Sequence, residues 1–276
     1  MQKANLSRAN LSKANLNGSN LKTAQLMRAD LSNANLSNAN LLEANLEEAN
    51  LHGANLQQAL YNSATIFPTD FDPVKAGAYL IAPGVSLIKA NLAGADLVVN
   101  STSVDLTGAN LQGANLTNAN LSNAKLLQAN LSGANLSKVS LDGNLTAANL
   151  SGANLMQAKL SGNFTAADLS NTNLQNANLS WPNFSSANLT KANLVGVDLS
   201  DRNFSGATLS EANLCGANLY RANLSGANLT LADLRGANLS GANLEKANLK
   251  GANISGAILG EAKLSGAIMP DGAIHE

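Results

Sequence analysis

The motif Ala-Asn-Leu followed by two variable residues recurs roughly fifty times, from Ala4-Asn5-Leu6 to Gly272-Ala273-Ile274. A period of five suits neither regular backbone. On an α-helix, five residues turn the chain through about 500°, so successive leucines spiral around the cylinder and never form one apolar stripe. On a flat strand, side chains alternate, so Leu6 and Leu11 would face opposite ways. The pattern is satisfied if each repeat is a short extended piece followed by a corner. Every central leucine then points to one axis and the two variable residues form the outside. That is a solenoid, the architecture expected of a chain built from internal repetition.

Glycine places the corner. Of 22 glycines, roughly eighteen fall at the second variable position, as in Leu131-Ser132-Gly133 and Leu239-Ser240-Gly241. That is where a type II turn requires positive φ. Between residues 19 and 52 the position carries Asn33, Asn38, Glu43 and Glu48 instead, so less uniform turns are expected there.

The register divides the chain into three stretches. Repeats run unbroken over 1–56. An insertion follows at 57–86, with three of the five prolines and its own apolar residues (Tyr61, Ile66, Phe67, Phe71, Tyr79), and is expected to pack back on the solenoid. Within it, Asp72-Pro73 suits the start of a single helical turn through Ala76. A second stack over 87–276 is expected to be continuous with the first. Three of its steps, in 97–106, 141–150 and 160–169, are one residue short, and each keeps its asparagine, which indicates tighter corners within intact coils.

The A-[DN]-L-x-x pattern, over about nine-tenths of the chain, resembles the pentapeptide-repeat family. The insertion, with FPTDFDPVKAGAYLI, resembles a segment that interrupts repeats in cyanobacterial members. The resemblance implies an all-β fold: a right-handed quadrilateral parallel β-helix with about four repeats per coil, the central residue and the preceding small residue turned inward. Functions in the family include protection of gyrase by proteins shaped like DNA, and developmental regulation through protein binding.

Four repeats per coil makes residues about twenty apart neighbours, spaced by about 4.8 Å. Phe164, Phe184 and Phe204 then stack as an interior ladder, read as packing. Arg28 and Glu48 share a column and can pair.

No constellation in the sequence suggests catalysis, a cofactor or a metal. His52 and His275 lie far apart in the stack, Cys215 has no fixed partner, and Asp70 and Asp72 sit in a turn-forming context. No long apolar run or leader-like segment occurs, so a cytoplasmic protein without membrane association is expected. Charge bears on the gyrase-protecting alternative. A DNA mimic must match about one negative charge per 1.7 Å of duplex, whereas this chain carries 18 acidic and 17 basic residues. Neither an acidic stripe nor a basic nucleic-acid face emerges.

The reading that remains is a non-enzymatic scaffold whose flat faces bind an unidentified protein. One corner gathers several departures from the repeat: Trp181, Arg202, Tyr220 and Arg221, beside Pro182 and Asp201. Trp, Tyr and Arg are enriched at interaction hot spots. Asp201 can also simply pair with Arg221. A second candidate surface is the final coil, where Ile258 and Ile268 replace asparagine. It suggests a homodimer joined end to end, against the alternative of a monomer whose tail folds over that end.

Overall fold

Backbone hydrogen bonds between residues one coil apart organise the molecule. The computed structural model describes residues 1–87, 90, 92, 104–180 and 182–276. These fall into two compact units, one taking in Met1–Val85 and the other Thr107–Glu276. Each is a right-handed, four-sided parallel β-helix.

In the first unit, parallel bridges join Asn5 to Gln25 to Asn45, Asn10 to Asp30 to Asn50, Asn15 to Asn35 to Asn55, and Asn20 to Asn40 to Leu60. Four columns repeating at twenty residues are the four sides. Leu6 N–H donates to the Gln25 carbonyl at 2.7 Å, and Gln25 N–H donates back to Ala4 at 2.9 Å. Each corner is closed locally, as where Ala9 N–H donates to the Leu6 carbonyl at 3.0 Å. The inward alanines and leucines fill the interior, with Leu26, Leu31, Leu36 and Leu46 fully buried. Each such leucine stabilises the coil by about 1.5–3 kcal/mol.

The corners are more uniform than the glycine distribution suggests. Asn33, Glu43 and Glu48 have φ of 55°, 56° and 56°, close to the 62° of Gly133. The glycine-poor stretch therefore makes the same turn as the rest, contrary to expectation. The physical reason is that the turn is held from both sides. The residue in the left-handed region also donates across the coil, as Arg8 N–H does to Met27 O at 2.9 Å, which offsets a conformational cost of about 1–2 kcal/mol per residue.

Outside the corners, the asparagine preceding each leucine has one repeated task. Its Oδ1 accepts the N–H two residues on, as Asn130 does from Ser132 at 3.1 Å. Its Nδ2 can reach the previous coil, as Asn130 does to Asn110 at 3.1 Å. Aspartate fills the same position at Asp30, Asp198 and Asp233, accepting from Ser32, Ser200 and Arg235.

Past residue 57 the ladder of the first unit continues to Ile66, which bridges to Asn45. Strand β1 (Leu60–Tyr61) then pairs in parallel with β2 (Tyr79–Leu80). The intervening chain returns to the core through Tyr61, whose ring meets Phe67 edge-on at 5.5 Å, and through Phe67 stacked on Phe71 at 5.4 Å. Asp72 caps the tight turn after it. Its Oδ1 accepts from Val74 and Lys75 N–H at 3.0 and 3.1 Å, while Ala76 N–H donates to its carbonyl at 3.1 Å.

In the second unit, strands β3 (Asn120–Leu121), β4 (Ser140–Leu141), β5 (Lys159–Leu160) and β6 (Asn178–Leu179) stack in parallel in that order. Ser140 bridges Lys159 and Lys159 bridges Asn178, each nineteen residues on, as the short steps require. The shortened corners draw the backbone inward. Gly143 and Gly162 occupy the usual alanine position there, and a Cβ would lie 1.8 Å from the Ala124 carbonyl oxygen and 2.1 Å from that of Gly143. The short step in 97–106 lies largely outside the described residues. Phe164, Phe184 and Phe204 are fully buried, with centroids 5.2 and 5.1 Å apart, and form the anticipated ladder.

Two outcomes follow from this backbone. Gly143→Ala is expected to destabilise the second unit by more than about 3 kcal/mol, because a backbone oxygen must move. Gly133→Ala, with open space around it, costs only the left-handed preference, about 1 kcal/mol. Comparing the two midpoints by urea titration checks this. The second concerns acid. Hydrogen bonds, chiefly from Ser32, Ser200 and Arg235 respectively, hold the carboxyls of Asp30, Asp198 and Asp233 below the usual carboxylate range. A folded-state pKa below the unfolded one stabilises fully above the unfolded value of about 3.9, and the contribution vanishes as pH falls through the folded value. Stability measured from pH 7 to pH 2 (about the range where these groups titrate) should fall along that acid limb. The triple Asp30→Asn, Asp198→Asn, Asp233→Asn variant should show a flatter limb.

Candidate functional site

Among the described residues, buried Leu and Ala side chains fill the interior of each unit. Among the described residues no group of His, Cys, Asp and Glu side chains is arranged to hold a metal ion. No helix among them is long and apolar enough to cross a membrane.

Acidic and basic residues on the variable positions pair across coils. Arg28 Nε donates to Glu48 at 2.7 Å, Lys191 Nζ lies 3.5 Å from Glu211, and Arg221 Nε lies 3.4 Å from Asp201. Arg235 instead grips Asp233 within its own repeat, at 2.7 Å through Nη2. Several of the exterior charges are thus paired.

The corner singled out by sequence resolves into two parts with different physics. Trp181 lies outside the described residues. Pro182 and Arg202 occupy inward small-residue positions on successive coils and are coupled through one carbonyl. At the equivalent corner one coil on, Arg202 N–H donates to Leu199 O at 3.2 Å, and on the next coil Ala222 N–H donates to Leu219 O at 3.0 Å. Proline has no N–H, so Pro182 cannot donate to Leu179 O. Arg202 Nε does so instead, at 2.8 Å. The guanidinium is only partly exposed, and the ladder through Arg202 is intact, with Asn223 N–H donating to its carbonyl at 2.9 Å. Sequence reasoning placed Arg202 among surface contacts and missed this. The usable signal was a proline at the turn's donor position.

Tyr220 and Arg221 form the second part. Tyr220 is 44% exposed, and the Arg221 guanidinium lies 5.9 Å from its ring centroid. The two border an open depression of about 630 Å³ whose other lining residues are Ser240, Gly241, Gly260 and Glu261. The depression exists because Ser240 and Gly260 follow Tyr220 in its column and Gly241 follows Arg221, before Glu261 closes that column two coils on. Twenty-residue arithmetic could have shown it.

The candidate end residues are not brought together. Ile258 continues the column of Asn218 and Asn238, and is 57% exposed. Ile268 continues the column of Asn228 and Asn248 and is half-buried, paired in antiparallel fashion with Ile274. The chain turns back after Met269, whose N–H donates to Ala273 O at 2.7 Å, and His275 N–H donates to Ala267 O at 2.8 Å. Two other outward positions were not anticipated from sequence: Lys22 and Leu42, twenty residues apart, are both buried. A second depression, in the first unit, is lined by Glu47, Glu48, Ala49, Ile66, Phe67, Pro68 and Thr69.

The Pro182–Arg202 arrangement makes a quantitative expectation. Arg202→Ala leaves Leu179 O without its donor and should cost about 1–3 kcal/mol. In a Pro182→Ala background, where residue 182 regains an N–H, the same substitution should cost less, by the worth of that one hydrogen bond. A double-mutant cycle from urea unfolding measures the coupling.

Comparison with known proteins agrees with this architecture. The family model for pentapeptide repeats matches residues 1–24, 24–60, 102–143, 144–162, 163–201, 203–236 and 232–269. Among solved structures, the chain is similar to HetL, a pentapeptide repeat protein involved in heterocyst differentiation regulation from the cyanobacterium Nostoc sp. strain PCC 7120. Identity is 34%, over 100% of this chain and 93% of that one, with a TM-score of 0.36. It is also similar to QnrB1, a plasmid-mediated fluoroquinolone resistance protein, at 15% identity over 90% of each chain and a TM-score of 0.29. No curated protein matches the chain. With most of its length matched by the repeat model, the chain belongs to the pentapeptide repeat family.

Proposed function

We propose that this protein is a non-catalytic solenoid scaffold that binds a protein partner through the corner carrying Tyr220 and Arg221. The observation that carries the reading is an exposed Tyr–Arg pair standing beside an open depression. Tyrosine and arginine are enriched among the few residues that dominate binding energy at protein interfaces. Arg202 is assigned to the turn beneath this surface, not to the surface itself.

The alternative is mimicry of DNA toward gyrase. Cross-coil pairing of Glu48, Glu211 and Asp201 with cations argues against it, because a mimic needs rows of unpaired anions.

The test is crosslinked capture from the native host with wild type and a Tyr220→Ala, Arg221→Ala variant of unchanged circular dichroism. A partner recovered by wild type and lost by the variant is the expected outcome. An identical set of partners would remove this corner from consideration. In parallel, purified protein should leave gyrase supercoiling unchanged, and inhibition or rescue there would favour the mimic.

A further inference from the structure

The depression beside Tyr220 is asymmetric in charge. Arg221, on one wall, lies 3.4 Å from Asp201 on the preceding coil and 5.9 Å from the Tyr220 ring centroid. Glu261, on the opposite wall, is exposed and makes no ion pair or hydrogen bond among the described residues. The floor between them is Ser240, Gly241 and Gly260. Tyr220 and Gly260 are two coils apart, so the floor is about 10 Å across by strand spacing.

We infer that this depression receives an arginine side chain presented by the protein partner. The assignment rests on the proposed scaffold reading and names the partner chemistry at that same corner. An unpaired carboxylate selects a cation. A planar guanidinium can pair with Glu261 through two N–H donors and lie against the Tyr220 ring, two interactions that a compact ammonium cannot make together. The planar group has room over Gly260, where a Cβ would meet only Ser240 Oγ at 3.9 Å, while the Arg221 stem already lies over Gly241.

The experiment is an amide NMR titration of the full chain with a capped Gly-Arg-Gly peptide, its citrulline counterpart of nearly equal shape and no charge, and a capped Gly-Lys-Gly peptide. The arginine peptide should shift the amides of Gly241 and Gly260 saturably. Affinity should fall by about fivefold with citrulline, and by a similar factor when Glu261→Gln protein is titrated with the arginine peptide. Lysine should bind more weakly than arginine. Absence of shifts at Gly241 and Gly260, or equal affinity for citrulline, overturns the assignment. The Glu261→Gln spectrum itself reports whether the fold is retained. If host capture depends on Tyr220 and Arg221 yet is unchanged by Glu261→Gln, the arginine assignment fails and the scaffold reading stands. If capture ignores Tyr220 and Arg221 as well, both fail.

Discussion

The parallel ladder between residues one coil apart sets every other feature of each unit. Because each repeat both donates to and accepts from its neighbours along the axis, its backbone is satisfied whatever side chain stands outside. Corner residues as unsuited to a left-handed conformation as Lys3, Glu43 and Leu231 are held in it by that ladder. Glycine at the second variable position is thus a convenience. Only where the corner loses a residue, at Gly143 and Gly162, does the missing Cβ become a steric necessity.

A backbone of this kind separates stability from recognition. The inward leucines, alanines and phenylalanines supply the apolar burial, while the asparagine ladder saturates the flat faces with local bonds. The corners remain free to vary, and there a few coils can combine Tyr220, a glycine floor and Glu261 into a surface that no single repeat contains. The Pro182–Arg202 pair stands at the boundary of the two roles. It is a departure visible from outside that serves the turn within.

Much of this was legible from spacing alone. The Phe164–Phe184–Phe204 ladder, the Arg28–Glu48 pair and the Asp201–Arg221 pair all follow from counting twenty along the chain, because a fixed period converts sequence distance into position. What spacing could not supply was set by reach and reversal. The destination of the Arg202 side chain depends on which carbonyl lacks a donor, and the antiparallel return of Ile274 onto Ile268 breaks the period altogether. Turn uniformity across 19–52 was hidden because residue preference describes an isolated turn, and these turns are not isolated. For the candidate site, Tyr220 and Arg221 were readable as residue types. The depression beside them required noticing what is absent from the next two coils.

The shared dependence on the Leu179 carbonyl also gives the two corner substitutions a permitted historical order. Arginine arriving at 202 while residue 182 still carried its N–H would add a second donor to a carbonyl already satisfied. Proline arriving first would strand that oxygen in a coil with nothing to replace the lost bond. Arg202 is in this sense the permissive residue of the pair, since it supplies the donor that Pro182 lacks.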